Sequence, residues 1–116
     1  MLNFIKSLFF RQPDPELRML SKRSGKWTTV RKKYLAENPT CAACGGTKDL
    51  SVHHVVPLHL DDTKELDPNN LITLCEENNC HHTFGHLFSW FSYNPKVRED
   101  AAAWLEKIKT RPKRTT

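Results

Sequence analysis

No stretch of this 116-residue chain approaches the roughly 20 consecutive apolar residues that cross a bilayer, so no membrane span is expected. The longest apolar stretch, residues 1–10, is short and is interrupted by Lys6. It lacks the charged start, long apolar run and small-residue cleavage site of an export signal. The expected location is therefore a reducing, cytoplasmic one, where the four cysteines stay available to metal rather than forming disulfides. Internal repeats and low-complexity segments are absent as well. Apolar residues make up 38% of the chain and the mean hydropathy is −0.62, both low for a globular domain. A chain this short and this polar buries a modest core, which suits one small domain stapled by metal.

Charge is present but unevenly placed. Residues 1–34 hold nine basic side chains against two acidic ones, and residues 35–106 hold four basic against eleven acidic. The last ten residues add five basic side chains. Basic ends around an acidic middle suit a polyanion gripped by flanking arms, with affinity that falls as salt rises.

Pro13 and Pro15 break the chain after its apolar start, so residues 1–24 are expected to form a basic arm or linker. A domain is expected over residues 25–110, with its motif core at 41–90, and a basic tail over 111–116. The spacing of Trp27, Val30 and Tyr34 predicts a helix from Gly25 to Glu37 with these three on one face. Arg31, Lys32 and Lys33 then lie off that face, where phosphates could meet them, and Asn38-Pro39 ends the helix. Residues 50–55 read as a strand and 71–74 as its return, with a polar loop between. A short helix is expected from Cys80 or His81 to about Trp90, weakened only modestly by Gly85. A last helix is expected to start with Asn94 as N-cap and Pro95 in the first position. Trp27, Trp90 and Trp104 read as core residues rather than stacking platforms.

Cys41-Ala-Ala-Cys44 and the looser Cys75-x4-Cys80 have the spacing of a tetrahedral zinc site, whose metal–sulfur bonds are about 2.3 Å long. Such a clamp fixes the base of the closed loop between the pairs. Six histidines accompany it. His53 and His54 are adjacent on a strand and must face opposite ways, so they cannot easily share one role. His82 and His86, four apart, would share a helical face, with His81 about 100° round. His59 reads as an ordinary hydrogen-bonding residue.

In order, the motifs Cys41-x-x-Cys44, Val52-His53-His54-Val55-Val56-Pro57-Leu58, Asn70-Leu71-Ile72-Thr73-Leu74-Cys75 and Cys80-His81 resemble the HNH endonuclease family. The three letters fall on His54, Asn70 and His81. The resemblance implies an α+β fold with a small ββα-metal core, braced by a four-cysteine zinc site and flanked by helices. It also implies metal-dependent hydrolysis of DNA phosphodiester bonds, as nicks or double-strand breaks. His54 would be the general base, and Asn70 would orient its imidazole or pin the polar loop. His53 and His81, with His86 as a further ligand, would hold one divalent cation. The histidine at position 53, where a carboxylate often stands, favours Zn²⁺ or Ni²⁺, with Mg²⁺ and Mn²⁺ also open. His82 or His86 remains an alternative to His81, because the extra residues between Cys75 and Cys80 move the helix start. DNA is the expected partner and a membrane is not. A monomer or a homodimer is compatible, as is work beside other DNA-processing proteins. The alternative is a zinc-containing module that binds nucleic acid without cutting it.

Overall fold

The computed structural model describes residues 23–114. Residues 1–22 of the expected arm, its apolar start included, and residues 115–116 of the tail lie outside the described residues. Helix α1, Trp27–Glu37, follows a turn in which Ser24 Oγ accepts from Lys26 N and Ser24 O accepts from Trp27 N. It ends at Asn38, whose backbone N–H and side-chain amide both donate to Tyr34 O; Pro39 bars another turn. No residue of α1 is fully buried. The helix docks instead by Tyr34, whose hydroxyl donates to Leu71 O at 2.8 Å, and by Trp27, which lies against His54.

Strands β1, Leu50–His54, and β2, Leu71–Cys75, form a two-stranded antiparallel sheet with Leu50 opposite Cys75 and His54 opposite Leu71. All five residues of β2 are buried, so it shows a continuous apolar run rather than alternation. The connecting loop is ordered by two short 3-10 turns, Asp62–Lys64 and Pro68–Asn70. Aspartates cap both: Asp61 accepts from Thr63 N, and Asp67 accepts from Asn69 N.

The helix expected from Cys80 or His81 to about Trp90 starts where expected but is cut short. A single π-helical turn, His81–Gly85, takes its place. Leu87 and Phe88, with φ of 53° and 66°, end it in the left-handed region. Such positions cost about 1–3 kcal/mol each in residues other than glycine and persist only where surrounding contacts hold them. Here those contacts are Phe88 N to His82 O and Asn94 N to Gly85 O.

Helix α2, Val97–Thr110, starts two residues later than expected. Asn94 is buried and shapes the entry: its Oδ1 accepts from Lys96 N while its Nδ2 donates to Phe84 O and Asp100 Oδ2. Pro95 therefore lies in the turn before the helix. Val97 and Ala101 bury against Ile72 and Leu74, and the same core takes in Cys41, Cys75 and Cys80. The small core and the cysteine cluster are thus one structure. Trp90 and Trp104 are not core residues: they are 56% and 45% exposed.

Candidate metal centres and catalytic cleft

The sulfurs of Cys41, Cys44, Cys75 and Cys80 all lie within 4.8 Å of one another. Cys44 and Cys75 Sγ are 3.6 Å apart, near the edge of about 3.8 Å that a tetrahedron with 2.3 Å metal–sulfur bonds requires. That separation is far beyond a disulfide bond. Backbone N–H groups aim at the sulfurs: Cys44 N and Cys75 N at Cys41, Gly46 N at Cys44, and Asn78 N at Cys75. Asn78 Nδ2 also donates to Cys44 Sγ. Burial pushes the Cys44 thiol up, but these donors outweigh it and bring it to about 7. Burial, then the neighbouring sulfurs, push Cys80 strongly the other way. Four crowded sulfurs with donors trained on them form a set that could hold a cation, and Zn²⁺ fits it. The extra residues before Cys80 are absorbed by Asn79, whose φ of 60° suits asparagine.

Strand β1 sends its two histidines to opposite sides. His53 joins His81 and His86, and one ring nitrogen from each lies within 4.8 Å of the others. His81 Nδ1 donates to Glu76 Oε2 at 2.8 Å, and His86 Nδ1 donates to Ser92 O at 2.8 Å. Each bond fixes the tautomer that leaves Nε2 with its lone pair. His53 Nε2 is buried without any hydrogen-bond partner. Burial, with the neighbouring histidines, lowers the His53 pKa to about 3, so the ring stays neutral. His53 Nδ1 lies 3.1 Å from His81 Nε2, and three ring nitrogens converging this closely fit a borderline divalent ion.

The π turn explains the membership. Its hydrogen bonds close over five residues rather than four, and here His81 pairs with His86. His82 turns away and stacks on Trp90, with ring centroids 4.5 Å apart. The α-helical pairing of His82 with His86 is therefore corrected. Gly85 is more than a tolerated weak point: a Cβ there would stand 2.9 Å from His53 Cε1. Gly85→Ala is expected to displace the ring and lower cleavage about a hundredfold, as a misplacement of about 1 Å does. Zinc content should stay normal, and cleavage kinetics beside metal analysis checks both.

Glu76, which reading the sequence missed, also accepts from the Ser51 hydroxyl. Burial would raise its carboxyl, but the bonds from Ser51 and His81 hold it below the usual carboxylate range. Glu76→Ala is expected to weaken divalent-ion binding about 10–100-fold, as loss of such supporting partners does. Calorimetric titration of the added ion would measure this.

On the other side, His54 Nε2 donates to Glu65 O at 2.9 Å, which leaves the ring's lone pair on Nδ1. Arg23 Nη1 lies 3.3 Å from Nδ1. Burial is the main cause that lowers the His54 pKa. Trp27 backs the imidazole at 4.5 Å and carries the Arg23 guanidinium 5.0 Å from its ring centroid. Asn70 does not orient this imidazole. Its Oδ1 accepts from Val56 N and its Nδ2 donates to Val56 O and Lys64 O, so it pins the loop, the second of its two expected roles.

Arg23, both β1 histidines, His81, His86 and Trp90 are among the residues lining one open cleft of about 440 Å³. Arg31, Lys32 and Lys33 are not among its lining residues, and His59 stands exposed at its edge. Residues 41–86 match the family model described as HNH endonuclease. This match is consistent with the HNH family. It begins at the first clamp cysteine and ends at the last clustered histidine. The match supports a nuclease-type function and a metal site, and both cysteine pairs and all three clustered histidines fall within it. No curated protein and no solved structure matches the chain. Among the described residues, no helix is long and apolar enough to cross a membrane.

Proposed function

We propose that the chain is a metal-dependent endonuclease that hydrolyses DNA phosphodiester bonds. His54 is the general base, and His53, His81 and His86 hold one divalent cation. The supporting observation is the opposed pair on β1. One ring joins two further imidazoles, with its Nδ1 3.1 Å from His81 Nε2, while the next has one nitrogen capped by Glu65 O and the other met by Arg23 in the cleft. His54 Nδ1 takes the proton of the attacking water. Its burial keeps the imidazole neutral and so able to accept. Arg23, beside that nitrogen, binds the phosphate under attack through its planar fork of donors. A bound divalent cation supplies Lewis-acid polarisation of the phosphate and stabilises the departing oxygen. Three nitrogen donors favour Zn²⁺ or Ni²⁺, while Mg²⁺ and Mn²⁺ belong in the same trial. The four cysteines hold a structural Zn²⁺. Arg31, Lys32 and Lys33 grip the DNA backbone outside the cleft, and Asn70 serves by holding the loop that supplies Glu65.

The test is conversion of supercoiled plasmid by zinc-loaded protein with Mg²⁺, Mn²⁺, Ni²⁺ or added Zn²⁺. Nicked or linear product with at least one ion is expected. Absence of cleavage with every ion, by folded and zinc-loaded protein, would sink the enzyme reading and leave a nucleic-acid-binding module.

A further inference from the structure

We propose that the exposed aromatic tip Trp90–Phe91 is a base-stacking subsite, so that the cleft takes DNA strands whose bases are unpaired in preference to continuous duplex. This rests on the nuclease reading and names its substrate class. Phe91 is 103% exposed and Phe88 67%, with half-exposed Trp90 between them. Large apolar groups gathered on a surface in this way mark a contact site. The tip is also built rather than frayed. Ser89 N donates to His86 O, Ser92 N donates to Ser89 O, and the Ser92 hydroxyl donates to His86 O. Phe91 is thus held out in one place, and little freedom remains to be lost on binding.

Position supplies the occupant. The Trp90 ring lies 4.8 Å from His86 and 5.2 Å from His81, so the aromatic tip begins where the clustered histidines end. Arg23 is part of the same cleft and offers a guanidinium to a backbone phosphate. A strand whose phosphate reaches His54 and Arg23 would lay its neighbouring base on the tip. In continuous duplex both faces of that base are already covered by its neighbours. In an unpaired strand a face is free to lie on Phe91 or Trp90. Every base has such a face, so the contact tolerates any sequence. The cleft agrees: apart from Arg23 and its histidines, its lining has no Asn, Gln, Asp or Glu to read base edges. A protein seated on the tip would overhang the histidines and close the path that substrate must take.

Phe91→Ala tests this without touching the histidines, because a fully exposed side chain supports no packing. Binding is measured by anisotropy of labelled oligonucleotides without added divalent ion, and cleavage with the most effective ion. The probes are a single strand, its duplex and an abasic backbone of equal length. Native protein is expected to prefer the single strand over the duplex. Phe91→Ala should lose about tenfold on the single strand and nothing on the duplex. The abasic backbone should bind native and variant protein alike. Equal loss on single strand and duplex, or no loss on either, would overturn the subsite; the latter would leave the tip as a protein-docking face. If native protein cuts nothing, yet the variant still loses affinity for the single strand alone, the nuclease reading fails and the subsite stands.

Discussion

Replacement of His54 by alanine is expected to lower DNA cleavage by roughly 10²–10⁴-fold, the usual worth of a positioned general base. The variant should keep its zinc and its fold. His54 makes one hydrogen bond to the hairpin loop, at Glu65 O, and one aromatic contact, with Trp27. Losing that bond leaves a buried carbonyl unpaired, worth about 1–3 kcal/mol, which a zinc-braced domain can absorb. Circular dichroism and metal analysis separate this modest loss from unfolding. Added imidazole gives a sharper check. A small base entering the vacated space should restore part of the rate, whereas a merely structural role for His54 would show no rescue. Full cleavage by the variant would remove His54 from the mechanism and leave Arg23 without its reacting neighbour.

Cys80→Ser is expected to abolish cooperative folding rather than merely slow catalysis. Cys80 is 3% exposed and packs in the same cluster as Ile72, Leu74, Val97 and Ala101. The residue after it begins the π turn that sets His81 and His86. A structural zinc contributes about 10–16 kcal/mol to folding in small zinc domains. That matches or exceeds the roughly 5–15 kcal/mol by which whole domains are stable. A hydroxyl is a poor substitute for a thiolate on zinc. The variant should therefore lose its zinc together with its thermal unfolding transition, and the divalent-ion site should vanish with them. A variant that melts cooperatively without zinc would show that the apolar core alone suffices.

Several parts of this architecture were legible in the residues themselves. The two cysteine pairs report a shared cluster because thiolate spacing is chemistry written directly in residue identity. Strand period alone sends His53 and His54 to opposite faces. The Asp- and Pro-rich composition of residues 57–69 marks them as a loop, because these residue types favour turns. Other parts were not legible for definite reasons. The partner of His54 is the carbonyl of Glu65, and the partner of His86 is the carbonyl of Ser92. A backbone carbonyl carries no residue signature, so the residues alone left Asn70 between orienting His54 and pinning the loop, and it pins the loop. The late start of α2 follows from Asn94, drawn down to Phe84 by a contact ten residues away in sequence.

The sequence by itself determined that this chain has a four-cysteine cluster, a hairpin with opposed histidines and no apolar run able to span a membrane. Each is a property of residue type and short spacing. Only the tertiary structure decided which histidines meet. Leu87 and Phe88 are forced into left-handed backbone by the return of the chain to Gly85 O, and that return leaves room for a single turn in π form. The same return leaves Trp90 and Phe91 beside the cleft, because burial of an aromatic ring depends on what lies opposite it: His82 covers one face of Trp90, and opposite Phe91 lies open solvent.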